Sequence, residues 1–220
     1  MNRLLVVRHG QTEWNLSGRI QGSSDIDLDE TGRAQTAQAV PALAAYEPVR
    51  IVSSDLRRAV ETAKPVAELA GVEIELDKRL RERGYGPWEG LTMHEIAERF
   101  PDDHRRWRAQ EPLLNPEIET WGDLKRRTGE AVRDLAESDF EGTLMLVCHG
   151  GSARQIVGGV LDWDHDSTSG LSGMDNCHWA DLRRMKSGKW RLFGYNLGAT
   201  PPYTIGMSPL AKGQLAGGKA

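Results

Sequence analysis

The sequence predicts an α/β protein with a doubly wound, mostly parallel sheet and helices on both faces of that sheet. Residues 4–7 and 143–148 are short apolar runs rich in branched side chains, and such runs are typical of strands buried on both faces. Stretches with helical periodicity separate these runs along the chain. Alternation of strands and helices favours parallel strands joined by helical crossovers, which is the arrangement of a doubly wound sheet.

The other elements follow in the order that such a fold requires. Ser53, Ser54 and Asp55 are residue types that cap helix N-termini, so we expect a helix that starts there and ends near residue 70. A polar, Pro-containing stretch separates two later helical segments. The other predicted strands are 51–52 and 72–76 with an antiparallel pair at 177–183 and 190–195, and the further helices are 31–44, 91–100, 121–135 and 152–161.

Length and composition indicate a single domain. The 220 residues are enough for one substantial core, and 39% hydrophobic with 27% charged residues is ordinary for a globular protein. No low-complexity linker interrupts the chain before its end. We therefore expect one domain over residues 1–198, followed by an irregular, glycine-rich tail over 199–220.

The net charge and the lengths of the apolar runs indicate which binding partners and which cellular location to expect. A net charge of -4 argues against a general nucleic-acid or membrane-surface binder. The apolar runs are too short for a signal sequence or a membrane span. Cys148 and Cys177 lack metal-ligand spacing, so we expect reduced, buried thiols and a cytoplasmic protein.

Two predicted strands of the sheet each end in a His-Gly pair, at His9 and at His149. Ligands of open α/β sheets bind beyond the carboxyl ends of the strands, so the two histidines face one crevice if their strands are neighbours. Arg58 lies near the start of a predicted helix, where the side-chain charge and the helix N-terminus both favour an anion. Glu82 is a carboxylate in a loop between two arginines.

These residue types suit phosphoryl transfer, which needs positioning and positive charge on the equatorial oxygens. Arg8 and Arg58 can clamp those oxygens with paired donors. Nearby arginines should keep His9 neutral and therefore nucleophilic, while a protonated His149 would donate to the transferred group. Glu82 could give a proton to the leaving oxygen and later take one from water. No metal or cofactor is required, and the chain shows no carboxylate cluster for a metal.

Residues 8–12, Arg-His-Gly-Gln-Thr, resemble the signature of the histidine phosphatase superfamily, which includes the cofactor-dependent phosphoglycerate mutases. Four motifs match in the family's order, over residues 3–159. The family pattern places the pocket arginine at Arg58 and not at Arg57. The resemblance implies that His9 is the nucleophile, that Arg8, Arg58 and His149 complete the phosphate pocket, that Glu82 is the proton donor, and that Asn15, Gln21 and Gly150 lie near the phosphate or the substrate.

Two segments resemble the phosphatase branch of this superfamily. Residues 86–92, Gly-Pro-Trp-Glu-Gly-Leu-Thr, are typical of that branch, whereas mutases have a longer substrate region after the proton donor. Residues 172–179 and 190–192 are similar to actinobacterial members, some of which act as glucosyl-3-phosphoglycerate phosphatases.

Three functions stay open on this sequence. The first is a phosphomonoesterase acting on a small phosphorylated metabolite, the second is a cofactor-dependent phosphoglycerate mutase, and the third is a non-catalytic phospholigand-binding protein. The apolar region 177–195 could also pair with a second subunit to form a homodimer.

Overall fold

Eight α-helices and six strands follow one another in residues 2–137 and 141–199, which are the residues that the computed structural model describes. Beyond its first residue, the tail predicted at 199–220 lies outside the described residues. The strands are β1 (Asn2–Arg8), β2 (Pro48–Ser53), β3 (Ile74–Leu76), β4 (Gly142–Cys148), β5 (Trp179–Arg184) and β6 (Trp190–Leu197). The helices are α1 (Glu13–Leu16), α2 (Glu30–Ala44), α3 (Arg57–Ala70), α4 (Met93–Arg99), α5 (Pro101–Arg108), α6 (Trp121–Glu137), α7 (Gly150–Val160) and α8 (His165–Ser169).

The six strands form one sheet in the order β3-β2-β4-β1-β5-β6. The first four run parallel, while β5 and β6 are antiparallel to their neighbours. The predicted mostly parallel sheet and its antiparallel pair are therefore confirmed. Since β1 and β4 are direct neighbours in register, with Arg8 opposite Cys148, their carboxyl ends lie side by side.

Alternate residues of the strands face two different apolar clusters. Leu4 and Val6 of β1 belong to a cluster completed by α6 and α7. Leu5 and Val7 belong to a second cluster, on the other face, completed by α2 and α3. Burial on both faces explains why the apolar runs show no polar alternation. The sheet is doubly wound, as predicted.

A third, smaller apolar cluster lies in the segment that contacts the loop after β1. It contains the buried side chains of Trp88, Ile96 and Ile118. Backbone hydrogen bonds join Ile20 to the segment that carries this cluster, at Gly90 and Leu91. The segment 84–121 therefore forms a lid-like layer with a core of its own, next to the loop that follows β1.

Several predicted boundaries were wrong. Residues 53–55 do not cap α3, because β2 continues through Ser53 and the helix starts at Arg57 after Leu56, which makes no side-chain capping bond. Helix α7 starts at Gly150 and not at 152, so it follows β4 after only one residue. The polar stretch around residue 101 contains α5, with Pro101 at its first position, where a missing N–H costs nothing. Within the described residues, no helix is long and apolar enough to cross a bilayer.

Candidate active site

His9 is held by backbone hydrogen bonds at the end of β1. Its N–H donates to the carbonyl of Cys148 at 3.0 Å, and its own carbonyl accepts from the N–H of Cys177 at 3.2 Å. The chain then turns at Gly10, whose N–H donates to the Thr62 hydroxyl at 3.0 Å. A Cβ on Gly10 would lie 2.7 Å from the carbonyl oxygen of Gly32, so only glycine permits this approach of loop and helix.

The His9 side chain is a buried, neutral imidazole. It is 3% exposed, and its Nδ1 lies 2.6 Å from the carbonyl oxygen of Gly10. A carbonyl can only accept, so Nδ1 carries the proton and Nε2 keeps its lone pair. Burial, reinforced by the charges of Arg58 and Arg8, holds the pKa of His9 well below its usual range. The expected neutral imidazole is therefore supported by geometry as well as by charge.

His149 lies beside His9, with 5.0 Å between the ring centroids. Arg58 donates from Nε to His149 Nδ1 at 3.2 Å, which places the imidazole proton on Nε2, and Nε2 lies 2.9 Å from the Ser54 hydroxyl. Burial, then the charge of Arg58, holds the pKa of His149 well below its usual range. The protonated His149 considered from the sequence is therefore corrected to a neutral imidazole, which still has one N–H to donate.

Arg58 is fully buried and anchored at three nitrogens. Besides the bond to His149, it donates from one NH2 group to the carbonyl of Ser24 at 2.6 Å and from the other to Gly22 at 2.8 Å. Burial lowers its pKa to about 10, so it stays a cation at neutral pH. Two of its five N–H groups remain for an anion. Arg57, by contrast, is exposed and pairs with Asp25 and Asp27, as the family pattern implied.

Arg8 supplies the second cation of the site. One of its terminal nitrogens donates to the carbonyl of Met174, but its buried Nε has no hydrogen-bond partner in the described part of the chain. An ideal Cβ on Gly150 would lie 3.7 Å from that Nε and 3.8 Å from Glu82 Oε2. A buried donor without an acceptor is costly unless a ligand completes it, so this nitrogen fits an anionic oxygen. We call the set His9, Arg8, Arg58 and His149 the anion pocket.

Glu82 reaches the same place from a loop. Its Oε1 accepts from the N–H groups of Arg83 at 2.8 Å and Ser152 at 3.1 Å, and its Oε2 accepts from Gly151 at 2.8 Å. The carboxyl group therefore caps the N-terminus of α7, where the helix dipole favours negative charge. Oε2 accepts one bond fewer than Oε1 and lies on the side of Arg8.

The structure also brings the weaker candidates close to the pocket. Asn15 uses its Oδ1 to accept from the N–H of Thr12 at 3.1 Å and contacts the amide of Asn176 at 3.4 Å. Gln21 is 9% exposed, and its Oε1 is buried without a partner. Gly150 is the first residue of α7 and faces Arg8. A role in substrate contact stays a prediction for all three residues.

Sequence reasoning missed four residues that shape this site. Ser54 and Thr62 support His149 and Gly10 as described above, and Asn176 donates from its amide to the His9 carbonyl at 2.9 Å. Arg127 donates to the carbonyls of three residues in the loop that ends at Glu82. Only Ser54 and Thr62 carried a signal, since they lie in or one turn beyond the motif that contains Arg58.

The arrangement combines a neutral imidazole at His9, the nearby charges of Arg8 and Arg58, and the carboxyl group of Glu82. In the described part of the chain, no group of three or more His, Cys, Asp or Glu side chains could hold a metal ion. The two cysteines are free and buried, as predicted.

Comparison with known proteins finds phosphatases among similar sequences and structures. A glucosyl-3-phosphoglycerate phosphatase of Mycobacterium tuberculosis is 34% identical over 212 residues, 90% of this chain and 95% of that protein. Phosphoserine phosphatase 1 of Hydrogenobacter thermophilus is 38% identical over 166 residues, 74% of this chain and 78% of that protein. The structure of a mycobacterial glucosyl-3-phosphoglycerate phosphatase with VO3 matches at 35% identity with a TM-score of 0.83, over 90% of this chain and 100% of that one.

The family model of the histidine phosphatase superfamily (branch 1) matches residues 4–198, nearly the whole described chain. The chain therefore belongs to the histidine phosphatase superfamily, branch 1.

Proposed function

We propose that this protein is a phosphomonoesterase that transfers the phosphoryl group of a small metabolite to His9 and then to water. The observation that carries the proposal is the state of His9, a buried neutral imidazole that keeps its lone pair on Nε2 and lies within the electrostatic influence of Arg58 and Arg8. Family membership and the phosphatase relatives support hydrolysis over simple binding.

In the first step His9 Nε2 attacks phosphorus in line with the leaving oxygen. The N–P bond forms as the P–O bond to the leaving group breaks, and protonated Glu82 gives its proton from Oε2 to the departing alkoxide. Arg8 and Arg58 hold the equatorial oxygens, and their charge stabilises the transition state. His149 donates its Nε2 proton to one of these oxygens in place of Ser54.

In the second step water attacks the phosphohistidine. Glu82, now a carboxylate, takes a proton from that water as the new P–O bond forms and the N–P bond breaks. Inorganic phosphate leaves, His9 returns to its neutral form, and Glu82 is again protonated. The overall change is the hydrolysis of one phosphate ester.

We propose glucosyl-3-phosphoglycerate as the substrate. The support is the printed activity of relatives that align over 90% of this chain at 34–35% identity. Residues 86–92 and 172–179 resemble the same branch. Glu89 accepts from the hydroxyl of Ser24, whose carbonyl holds Arg58, and Asn176 donates to the His9 carbonyl. The buried free thiols are consistent with a cytoplasmic setting. The exposed Phe193 on the edge strand β6 is consistent with a homodimer. The location, the homodimer and the single domain over 1–198 all stay predictions.

The test is phosphate release in EDTA from glucosyl-3-phosphoglycerate, 3-phosphoglycerate and p-nitrophenyl phosphate, with His9→Ala as the background. We expect the highest kcat/KM on the glucosylated substrate and no release by the variant. Turnover of only 3-phosphoglycerate or p-nitrophenyl phosphate would support the phosphatase activity but contradict glucosyl-3-phosphoglycerate as the substrate. Absence of His9-dependent release from all three would overturn the proposal, and strong isomerisation of phosphoglycerate with 2,3-bisphosphoglycerate would replace it with a mutase.

A further inference from the structure

Two arginines outside the anion pocket share one aromatic ring. The guanidinium carbon of Arg83 lies 4.3 Å from the ring centroid of Trp121, and that of Arg154 lies 5.5 Å from the same centroid. Arg83 also lies 5.1 Å from the ring of Tyr85. Two like charges gathered on one ring repel each other, so an anion between them would relieve the repulsion.

Arg154 has no counter-ion among the residues that the structure describes. Other arginines near the site are paired: Arg81 with Asp55 at 2.6 Å, and Arg127 with Glu119 at 2.6 Å. Arg154 makes neither a salt bridge nor a hydrogen bond within the described ranges, although it is half-buried. It lies on α7 one turn after Gly150, the residue that faces Arg8.

Arg83 is a buried cation with unused donors. It is 4% exposed, and its side chain donates from Nε to the carbonyl of Glu119 at 2.6 Å. Among the described residues, its buried NH1 group has no hydrogen-bond partner. Buried charged donors are normally satisfied, so an unpaired one points to a ligand that the site is built to receive.

These arginines are within electrostatic reach of the catalytic groups. Burial, then the charge of Glu82, raises the pKa of Tyr85 to about 12, and Arg83 and Arg154 act against that rise. Burial raises the pKa of Tyr195 as well, and Arg154 and Arg8 oppose it. The arginine pair and two charged groups of the site, Glu82 and Arg8, therefore act on the same two phenols.

We propose that Arg154 and Arg83, stacked on Trp121, form a second anion site that holds the carboxylate of a phosphorylated hydroxy acid while its phosphate lies in the anion pocket. This inference rests on the proposed function, since it names a determinant of substrate choice for the same site. Arg154 supplies the accessible, half-buried charge, and the enclosed Arg83 adds a second charge at the same ring.

A carboxylate fits this site better than a second phosphate does. A stacked guanidinium presents its donors in one plane, which matches a planar carboxylate in bidentate fashion. A second phosphate would bring close to two negative charges near the phosphate in the anion pocket, and the repulsion would be larger than for a carboxylate.

The test compares Arg154→Met with the wild type on 3-phosphoglycerate, glycerol 3-phosphate and 2,3-bisphosphoglycerate. Glycerol 3-phosphate has the same skeleton without the carboxylate. We expect the ratio of kcat/KM for 3-phosphoglycerate over glycerol 3-phosphate to fall by about 10- to 100-fold, since a charge-assisted bond is lost. Arg154→Lys should recover part of that ratio, because it restores the charge.

The exposed Arg133 of α6 is the matched control, because it has no ion pair within the described residues. Arg133→Met should leave the ratio within twofold. An unchanged ratio in Arg154→Met would overturn the second anion site, and a loss confined to the bisphosphate would overturn the assignment to a carboxylate. If the wild type released no phosphate from any substrate, the proposed function itself would fail, which is a different result.

Discussion

His9 and Glu82 face the same pocket but are positioned in different ways. His9 is held by main-chain hydrogen bonds to Cys148, the last residue of β4, and to Cys177, in the turn that precedes β5. Glu82 belongs to the segment 77–90, which we call the Glu82 arm, and this arm is held by side chains from other parts of the chain. Arg127 of α6 donates to the carbonyls of Arg79, Arg81 and Glu82 at 2.7–2.8 Å.

This difference shows that the positions of His9 and Glu82 depend on different parts of the fold. His9, the proposed nucleophile, is placed by strand pairing, which is shared by the whole sheet and resists local change. Glu82, the proposed proton donor, accepts from the N–H groups at the start of α7, but the backbone of its arm is held by the Arg127 guanidinium group and by the pair of Asp55 with Arg81. A substitution far from the pocket should therefore disturb Glu82 more easily than His9.

The largest effect is expected at the nucleophile itself. His9→Ala should lower kcat by at least about 10⁴-fold, because removal of a nucleophile abolishes the covalent route. Acid-quenched enzyme from rapid mixing with substrate should contain phosphohistidine in the wild type and none in the variant. His94→Ala, a change of an exposed histidine, is the control. Phosphohistidine that persists in His9→Ala would show that another residue is the nucleophile.

Removal of the proton donor should have the next largest effect. Glu82→Gln keeps the shape of the side chain but cannot transfer a proton, so kcat should fall by about 10²- to 10⁴-fold for substrates with alkoxide leaving groups. The loss should be smaller for p-nitrophenyl phosphate, whose leaving group needs no proton. An equal loss on both classes would contradict a proton-donor role for Glu82.

Loosening the Glu82 arm should have an intermediate effect. Arg127→Met keeps much of the side-chain volume but removes the bonds to three carbonyls of the arm, and we expect kcat to fall by about 10- to 100-fold with a small change in KM. In the Glu82→Gln background the same change should cost less than about threefold, since the two residues act together. Arg126→Met, on the exposed side of the same helix, is the control.

Equal losses from Arg127→Met in both backgrounds would show that Arg127 supports only the stability of the fold. The comparison between the two halves of the site would then lose its basis. Circular dichroism of each variant separates loss of fold from loss of position.

The smallest expected effect concerns the pH dependence of stability. The folded pKa values of His9 and His149 lie below 6.5, so the unfolded chain binds more protons below that pH. Each histidine contributes no pH dependence well above 6.5, and stability falls as the pH drops through 6.5, by up to about 1.4 kcal/mol per pH unit for each. Urea unfolding between pH 7 and 5 measures this slope.

His9→Gln removes one of the two titrating groups, so its unfolding free energy should fall less steeply with decreasing pH than that of the wild type. Identical slopes would mean that the imidazole of His9 is not held neutral in the folded protein. The same range tests activity: kcat/KM should not follow an ionisation of His9 near 6.5, since the folded pKa lies well below it.

Sequence reasoning predicted the sheet-based half of the site well. The apolar runs that precede His9 and His149 have the composition of fully buried strands, and parallel strands place their carboxyl ends together. The juxtaposition of the two rings at 5.0 Å follows from that topology. The local sequence pattern is enough to predict this juxtaposition, because each histidine directly follows a strand and the two strands pair.

The start of α7 shows a limit of the same reasoning. Gly150 and Gly151 have low helix propensity, so the sequence placed the helix start later. In the structure the Glu82 carboxyl group accepts from the N–H groups of Gly151 and Ser152, which satisfies the first turn. A tertiary contact therefore overrides the local propensity.

By itself, the sequence determined the α/β class, the two strand-end histidines, the pocket arginine at Arg58 and the family, because each depends on local pattern or on a contiguous motif. The tertiary structure alone decided the proton positions on both imidazoles, the hydrogen bonds from Arg127 to the Glu82 arm and the position of Arg154 beside Trp121. These features depend on side chains far apart in the chain, and their distances and burial arise only when the chain has folded.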